Sequence, residues 1–513
     1  MKSSLKEGGE KMLTAKQLRN PELFKKVVDA DVAASFIQDG FTVGISGFTP
    51  SGYPKAVTLA LAEQVKNGRK VKINITSGAS VGPEVEEALA AAGAVARRYP
   101  YYASAHKSMK KAINSGEIQY YDMHLSHTAQ QINFDFLDPI DVCIVECCAI
   151  TEDGNLILTP GVGNTPVMVK KAKHVIVELN TFQPPELEGM HDIYIQNIPP
   201  HRTAIPINDA ADRIGTPYVE CGLDKIKYIV ETDIPDKVVN LKEPDEKSLL
   251  IAGHLIDFLK SEVKAARLPE NLLPLQSGVG SIANAVLKGF VNSDFKNLTM
   301  YSEILQDSVF DLIDAEKIKI ASGCAFTPSP NVLKRFKANP EKYKKHLILR
   351  PLDITNHPEI IRRLGVIAMN TAIEIDIYGN ENSTHVMGTH MMNGIGGSGD
   401  FMRNAYLSIF CTTSTAKEDQ VSRIVPMCTH IDSTEHDTQI VVTEWGCADL
   451  RGLAPRERSR KIINTCAHPK FRDQLMDYVL RAEKEVGGHQ PHILKEALSW
   501  HIHAQKYGTM IFQ

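Results

Sequence analysis

Short apolar runs alternate with segments of helical periodicity through both halves of the chain. Runs that predict buried strands lie at 41–45, 71–76, 141–145, 174–178, 297–301, 318–321 and 439–442. Segments that predict helices lie at 83–92, 246–258 and 358–364, and from 469 to the C-terminus. Alternation of this kind is typical of βαβ units. The pattern therefore predicts an α/β fold with open, mainly parallel sheets and flanking helices.

A glycine loop, a Gly-Asn turn and a second glycine loop recur in the same order in each half. The first half carries them at 44–48, 153–155 and 161–164, and the second half carries them at 278–282, 378–380 and 394–397. A repeat of this length predicts two related tandem domains. We place them at 13–230 and 246–513, since charged residues and two prolines interrupt the apolar periodicity in a linker at 231–245. Residues 1–12 are polar and are interpreted as an N-terminal extension or tag remnant.

The two halves differ where the strand-like run after the first loop ends. In the first half the run ends in Ser77-Gly78, whereas in the second half it ends in Ser302-Glu303. Ligands of open α/β sheets bind beyond the carboxyl ends of the strands. A carboxylate that replaces glycine there is placed where chemistry occurs, so Glu303 is the candidate reactive group. The alternative is a solvated surface glutamate, which is the usual state of this residue type.

Composition and charge exclude several partners. The formal net charge of the 513 residues is −4, with both signs interspersed, so neither a nucleic-acid surface nor a polybasic membrane patch is indicated. No run approaches the roughly 20 apolar residues of a membrane span. The nine cysteines form no Cys-x-x-Cys pair and lie mostly in apolar runs. They predict buried thiols and a cytoplasmic location.

Several motifs have competing interpretations. The glycine loops match neither the Walker A sequence nor the full dinucleotide fingerprint, so a nucleotide-dependent enzyme is poorly supported. His124-x-x-His127 and the cluster at 430–437 could imitate metal ligands, but neither is an HExxH motif, and no metal is expected. The segment 443–452 could be a strand end with a satisfied carboxylate and an Arg-Asp pair.

Taken together, the segments 278–286, 302–307, 393–401 and 443–452 closely resemble those of the class I coenzyme A transferases. The nearest branch is the acetyl-CoA hydrolase/transferase group, typified by succinyl-CoA:acetate CoA-transferase. The likeness extends from about Leu13 to the C-terminus. It implies two tandem α/β CoA-transferase domains with the active site between them, in a homodimer that binds acyl-CoA and small carboxylic acids.

The resemblance also implies roles for individual residues. Glu303 falls on the family's catalytic glutamate, and Val279 and Gly397 match the positions whose backbone amides form the oxyanion hole. Asn356 and Glu444 match polar residues near that glutamate. Contacts to coenzyme A are implied for Gly278, Val279, Gly280, Ser281, Ile282, Asn393, Gly397 and Lys417. The chain departs from the expected pattern at Trp445 and Cys447, which affects the prediction of acid preference.

The implied activity is transfer of CoA between short-chain acids such as succinate, acetate and propionate. The reaction would be ping-pong, through a glutamyl-CoA thioester, with CoA as a substrate and no metal or redox cofactor. Two alternatives remain. In an acyl-CoA hydrolase, water would replace the second acid at the same glutamate. In a non-catalytic sensor, the fold would bind an acyl-CoA or a sugar phosphate without turnover, although the presence of Glu303 argues against this.

Overall fold

The computed structural model describes residues 13–238 and 243–512. The N-terminal extension expected at 1–12 lies outside the described residues, as does the stretch 239–242 of the expected linker.

The first half contains one large sheet with helices on both sides. Its strands are β1 (Thr42–Ile45), β2 (Ile73–Ser77), β3 (Val95–Tyr99), β4 (Gln119–Tyr120), β5 (Val142–Ile150), β6 (Leu156–Leu158), β7 (His174–Asn180) and β8 (Ile226–Thr232). Its α-helices are α1 (Ala30–Ser35), α2 (Ala56–Lys66), α3 (Glu86–Ala91), α4 (Lys107–Asn114), α5 (Leu125–Asn133) and α6 (Thr165–Lys171). Short 3₁₀ helices lie at Pro21–Lys26 and Pro185–Leu187. The strand order is β4-β3-β2-β1-β5-β7-β8, all parallel, with β6 antiparallel beside β5.

The second half contains a second large sheet and several small ones. Its strands are β9 (Leu275–Ser277), β10 (Leu298–Tyr301), β11 (Ile304–Leu305), β12 (Ile318–Gly323), β13 (Ala325–Phe326), β14 (Leu347–Leu349), β15 (Ile367–Thr371), β16 (Glu374–Asp376), β17 (Glu381–Asn382), β18 (His385–Val386), β19 (His390–Met391), β20 (Leu407–Cys411), β21 (Thr415–Ala416), β22 (Val421–Ser422), β23 (Ile424–Val425), β24 (Ile440–Thr443) and β25 (Gly446–Asp449). Its helices are α7 (Glu246–Lys264), α8 (Ser281–Asn292), α9 (Asp307–Asp314), α10 (Pro330–Ala338), α11 (Pro340–Lys344), α12 (Leu352–Thr355), α13 (Pro358–Leu364), α14 (Ser398–Asn404), α15 (Pro455–Cys466), α16 (Pro469–Glu485) and α17 (Ser499–Tyr507). The large sheet has the order β14-β12-β10-β9-β15-β20-β24-β25, parallel except for β25.

The two large sheets have equivalent strand orders. Strands β2, β3 and β4 follow one another on one side of β1, as β10, β12 and β14 do beside β9. On the other side, β5, β7 and β8 correspond to β15, β20 and β24. The predicted α/β fold with two related tandem domains is confirmed. The glycine of each Gly-Asn turn also has a left-handed backbone, with φ of +81° at Gly154 and +97° at Gly379.

Element boundaries differ from the predictions by a few residues, for local reasons. The strand predicted at 141–145 continues to Ile150 as β5, because all nine of its residues are buried. The strand predicted from 297 begins one residue later, since Asn297 has a φ of +54°. The helix predicted at 83–92 is the shorter α3. The domain limits around 231–245 stay a prediction; β8 ends at Thr232 and α7 begins at Glu246.

The two halves are joined through a shared interior. One hydrophobic cluster contains residues of both large sheets, such as Val145 and Met300. Arg350 is completely buried, forms an ion pair with Asp192 of the first half, and donates from Nε to Ser322 Oγ at 2.6 Å. Removal of one partner from such a pair leaves an uncompensated buried charge, which costs about 3–5 kcal/mol. The pair therefore holds the halves in one relative position.

Helix α2 begins directly over a buried carboxylate. Glu178 on β7 accepts hydrogen bonds from the amides of Lys55 at 2.7 Å, Ala56 at 3.0 Å and Val57 at 2.7 Å. These bonds satisfy amides that the helix itself leaves without partners, and the negative charge lies at the positive end of the helix dipole. The corresponding helix of the second half, α8, begins after Gly280 with no side-chain cap. Only the first half thus fills this helix N-terminus with its own carboxylate.

We expect Glu178→Ala to destabilise the fold by at least about 2 kcal/mol, because it leaves buried amides without an acceptor. A thermal melt followed by circular dichroism should show a clearly lower apparent Tm. Glu63→Ala, at an exposed position of the same helix, is the control and should change stability by less than about 0.5 kcal/mol. Equal melting temperatures for the two variants would contradict the capping role.

Candidate active site

A cavity of about 660 Å³ lies between the two halves. The first half contributes Phe48, Thr49, Ala79, Tyr101, Ala103 and Leu125 to its lining, and the second half contributes residues 278–282, 303–304, 370–373 and 393–398 together with Asp245, Ser248, Ser383, Thr413 and Arg423. Three adjacent parallel strands, β9, β10 and β15, end at this cavity. It therefore occupies the position where open α/β sheets bind their ligands.

Glu303 lies just beyond the end of β10, and its backbone is fixed from one side. Its carbonyl accepts hydrogen bonds from the amides of Cys324 at 2.6 Å and Ala325 at 3.1 Å. The side chain extends the other way, and its Oε1 accepts a hydrogen bond from Asn356 Nδ2 at 2.6 Å. Tyr301 donates its hydroxyl to the carbonyl of Ile354 at 2.6 Å. This bond ties α12 to β10 and so places Asn356 beside Glu303.

The electrostatic surroundings make Glu303 unusually basic. The pKa of its carboxyl is raised to about 7. Burial is the largest cause of this rise, the hydrogen bond from Asn356 opposes it, and the negative charge of Asp400 adds to it. The group is therefore ionised above neutral pH and is a stronger base than an ordinary glutamate. A basic carboxylate in a cleft is a candidate nucleophile.

Glycine at position 397 is required for the closest approach in the site. A Cβ atom built on Gly397 would overlap the Glu303 carboxylate and would lie 2.5 Å from Asn356 Nδ2. The first-half residue that corresponds to Glu303 is Gly78, and it is packed against backbone. A Cβ there would lie 2.6 Å from the carbonyl oxygen of Gly47 and 2.7 Å from the Cα of Gly163. The same strand end thus carries a carboxylate in one half and has no room for any side chain in the other.

The backbone amides of Val279 and Gly397 have no acceptor within residues 13–238 and 243–512. Val279 lies on the loop between β9 and α8, next to Gly280, whose φ of +124° requires glycine. Gly397 is the residue just before α14. Both residues line the same cavity as Glu303. Free amides at such a site are able to stabilise an oxyanion.

The other residues assigned by sequence fall into two groups. Gly278, Gly280, Ser281, Ile282 and Asn393 line the cavity.

Glu444 and Lys417 do not line it. The carboxylate of Glu444 accepts hydrogen bonds from Ser414 N at 2.8 Å and Ser414 Oγ at 2.7 Å. Lys417 is exposed, in the turn between β21 and β22. Trp445 donates from Nε1 to the same Ser414 Oγ at 3.1 Å. The roles of all these residues, in both groups, stay predictions.

Sequence reasoning did not single out three residues that contribute to the site. Tyr101 and Arg423 line the cavity, and Asp400 accepts a hydrogen bond from Asn356 Nδ2 at 3.1 Å. Asp400 lies in the first turn of α14, a position where acidic residues are common. That signal was available in the sequence. Nothing in the sequence pairs Tyr101 or Arg423 with Glu303, because these contacts depend on how the halves are packed.

The histidine motifs form no metal centre in the part of the chain that the structure describes, where no group of at least three His, Cys, Asp or Glu side chains is arranged to hold an ion. The rings of His124 and His127 meet edge to face. In the other motif, His430 Nε2 lies 3.2 Å from Asp432 Oδ1. Among the described helices, none is both long and apolar enough to cross a membrane.

Comparison of the sequence with known protein families gives two matches. The sequence model of the acetyl-CoA hydrolase/transferase N-terminal domain matches residues 12–241, and that of the C-terminal domain matches residues 333–479. The chain is 52% identical over 499 residues to the succinyl-CoA:acetate CoA-transferase of Clostridium kluyveri, covering 97% of this chain and 92% of that protein. It is 44% identical over 516 residues to the acetyl-CoA hydrolase of Schizosaccharomyces pombe, covering 97% and 98%. The crystal structure of RipA from Yersinia pestis shares the fold, with a TM-score of 0.71 at 22% identity over 89% of this chain and 97% of RipA.

The raised pKa of Glu303 predicts a pH-dependent loss of stability. Because the folded-state pKa of about 7 lies above the ordinary value of 4.5, the contribution is fully present below pH 4.5 and is lost as the pH rises through about 7. Glu303→Gln, which keeps the acceptor but carries no charge, should therefore melt a few degrees above the unaltered protein at pH 8.5. The difference should shrink towards pH 5. Glu63→Gln should show no such trend, and a constant difference for Glu303→Gln would contradict the raised pKa.

Proposed function

Because the chain belongs to the acetyl-CoA hydrolase/transferase family, we propose that it transfers CoA between short-chain carboxylic acids through a thioester on Glu303. Enzymes of this family are CoA-transferases and acetyl-CoA hydrolases, so the chain is an enzyme. The observation that carries the finer proposal is the Glu303 carboxylate. It is basic, lines the cavity between the halves, and lies against Gly397, the residue just before α14.

The first half-reaction begins with attack of the Glu303 carboxylate on the thioester carbonyl of an acyl-CoA. A C–O bond forms, the C–S bond breaks, and CoA leaves as a thiolate, which gives an acyl-glutamyl anhydride. The thiolate then attacks the Glu303 carbonyl of the anhydride. A C–S bond forms, the anhydride C–O bond breaks, and the first acid leaves as its carboxylate. A second acid reverses these steps, and no net proton transfer is needed.

The residues around Glu303 support this sequence of steps. Each attack creates a tetrahedral oxyanion, which the amides of Val279 and Gly397 are free to stabilise. Loss of one such donor typically costs about 3 kcal/mol of barrier. Asn356 Nδ2 donates to Oε1, the atom that bears charge whenever Glu303 is released. These donors are backbone amides or a buried side chain and do not need to reorganise during the reaction.

One cation of the cavity is available to an anionic group of the substrate. Arg423 lines the cavity, and no carboxylate of the described residues lies within 4.0 Å of its guanidinium. Burial lowers its pKa, as expected for a cation without a close counter-ion. A free carboxylate or the phosphates of CoA would supply that counter-ion. The name of the Clostridium kluyveri relative supports succinate and acetate as the acids.

Hydrolysis is the second candidate, since the Schizosaccharomyces pombe relative is named as a hydrolase. Both activities would share the glutamyl thioester, and they differ in whether an acid or water accepts the acyl group. Transfer is favoured here because a carboxylate attacks without losing a proton, whereas water needs a base. A sensor without turnover would give Glu303 no role.

Three further parts of the proposal rest on the sequence. The steps above use only the protein and CoA, so no metal or redox cofactor is included. All nine cysteines are free thiols, which supports a reducing, cytoplasmic location. The homodimer follows from the family resemblance.

The central prediction is a covalent intermediate on Glu303. Incubation with acetyl-CoA or succinyl-CoA in the absence of an acceptor acid should attach CoA to the protein through a thioester. Mass spectrometry should detect the added mass, and peptide mapping should place it on the segment 301–304. Glu303→Ala should lose both the label and turnover. Glu303→Asp should lose at least about 10²-fold in rate, because one methylene withdraws the carboxylate by more than 1 Å.

The same labelled enzyme separates transfer from hydrolysis. Acetate or succinate should discharge the label with formation of the new acyl-CoA, and faster than water alone releases CoA. Discharge at the same rate without an acid would favour the hydrolase. A label on a cysteine, or near-normal turnover by Glu303→Ala, would contradict the proposed mechanism.

Gly397→Ala should reduce kcat by at least about 10²-fold, because its Cβ would displace the Glu303 carboxylate from the side-chain amide of Asn356. Steady-state kinetics measure the effect. Gly253→Ala is the matched control, since a Cβ there meets nothing within 4 Å. Near-normal kcat in a folded Gly397→Ala enzyme would show that this close approach does not contribute to catalysis.

A further inference from the structure

A buried carboxylate connects the reactive site to a helix of the first half. Asp400 is 4% exposed. Its Oδ1 accepts a hydrogen bond from Ser126 Oγ at 2.5 Å, and its Oδ2 accepts from the amide of Ser126 at 2.9 Å. Oδ2 also accepts from Asn356 Nδ2 at 3.1 Å. Ser126 belongs to the first turn of α5, whereas Asp400 belongs to α14. We call this set the Asp400 bridge.

The Asp400 bridge determines which way the Asn356 side chain faces. The two N–H groups of Nδ2 are directed at two carboxylates, Glu303 at 2.6 Å and Asp400 at 3.1 Å. On its other side, Oδ1 accepts the hydroxyl of Thr355 at 2.9 Å. A flipped amide would place Oδ1 against both carboxylates, and the Thr355 hydroxyl would then donate only to the carbonyl of Leu352, at 3.2 Å. The flipped state is therefore strongly disfavoured.

We propose that Asp400, held by Ser126 of the first half, is a positioning residue that keeps the Asn356 amide directed as a donor towards Glu303. The proposal rests on the proposed function for the identity of the reaction. Its geometry is independent of the substrate. Asp400 does not line the cavity and makes no hydrogen bond to Glu303, whereas both carboxylates accept from Asn356, so its positioning effect is exerted through Asn356.

The hydrogen bond from Asn356 to Asp400 matters because the charge of Glu303 changes during the proposed reaction. In the free enzyme Oε1 is an anion and attracts the amide by itself. In the glutamyl thioester that oxygen is neutral, and the attraction falls. The bond to Asp400 remains, so the amide is still in place when the next attack regenerates negative charge on the same oxygen. A donor that does not reorganise contributes most at that moment.

Asp400 also affects the basicity of Glu303 through its charge. Burial raises the pKa of Asp400, and the hydrogen bonds from Ser126 and Asn356 and the nearby His124 lower it. Arg423 and Asp245 line the same cavity as Glu303. Two further titratable groups interact with Glu303 electrostatically, Tyr101 from the first half and Cys324 from the loop after β12. Burial raises the pKa of both, so both are neutral at working pH. Asp400 is thus the negative neighbour whose removal should change the titration of Glu303.

The test is Asp400→Asn, assayed for transfer between pH 5 and 9. We expect kcat to fall by about 10²-fold, with little change in the KM for acyl-CoA, because positioning and not binding is lost. The acid limb of kcat/KM should move to lower pH, since a negative neighbour that raises the pKa of Glu303 is removed. The fall in kcat at an unchanged KM reports the lost positioning of Asn356, and the shift of the limb reports the lost charge.

Two further variants keep the test decisive. Ser126→Ala retains the hydrogen bond from the backbone amide to Asp400 and loses the one from the hydroxyl, so a smaller fall in kcat is expected. This variant tests the positioning role if Asp400→Asn does not fold. Asp376→Asn is the control, because Asp376 is a fully buried carboxylate that caps a turn through the amides of residues 378–380. It should lower Tm and leave the acid limb in place.

The outcomes separate the two proposals. Unchanged kcat in folded Asp400→Asn, or in folded Ser126→Ala, would overturn the positioning role while Glu303 is still labelled by acyl-CoA, whether or not the acid limb moves. Turnover by Glu303→Ala would instead overturn the proposed function.

Discussion

The site depends on one electrostatic constraint: the proposed reaction requires Glu303 to be ionised, yet the carboxylate is held where water does not solvate it well. Burial is the largest cause of the raised pKa of Glu303, which is about 7, and the ionised group would be costly without a donor. Asn356 supplies that donor from α12, and the hydroxyl of Tyr301 ties α12 to the strand that carries Glu303. The approach of α14 through a glycine completes the surroundings. Fold and site are linked because each of these partners comes from a different element that must arrive at the same point.

The same constraint explains why both halves are needed. The carboxylate belongs to the second half, but Tyr101 and Leu125 of the first half form part of the wall that limits its contact with water. The buried pair of Arg350 and Asp192 fixes the distance between that wall and the strand ends. Because close-packed interiors transmit strain, a small displacement of one half against the other would also shift the residues that line the site.

The fold could be predicted from sequence, and Glu303 could be selected as the candidate reactive residue, because both depend on local sequence patterns. Repeated glycine loops and strand-like runs indicated two related sheets, and the exchange of glycine for glutamate between them indicated Glu303. Asn356 was found only through family resemblance, since a single asparagine after a short helix carries no pattern. The link from Asp400 to Ser126 spans 274 positions in sequence, and no local signal reports it. Strand ends shifted where one residue overrode propensity, as the left-handed Asn297 does before β10.

The packing around Gly78 has a consequence for how the two halves diverged. Backbone atoms of Gly47 and Gly163 fill the space that a side chain at position 78 would need, and Glu178 already occupies the helix end that a reacting anion would use. A single substitution cannot restore reactivity to the first half, because several contacts would have to be undone together. The asymmetry between the halves is therefore fixed by packing. Substitutions in the first half can alter it as a wall of the cavity, whereas a second carboxylate at its strand end would require coordinated changes at Gly47, Gly78 and Gly163.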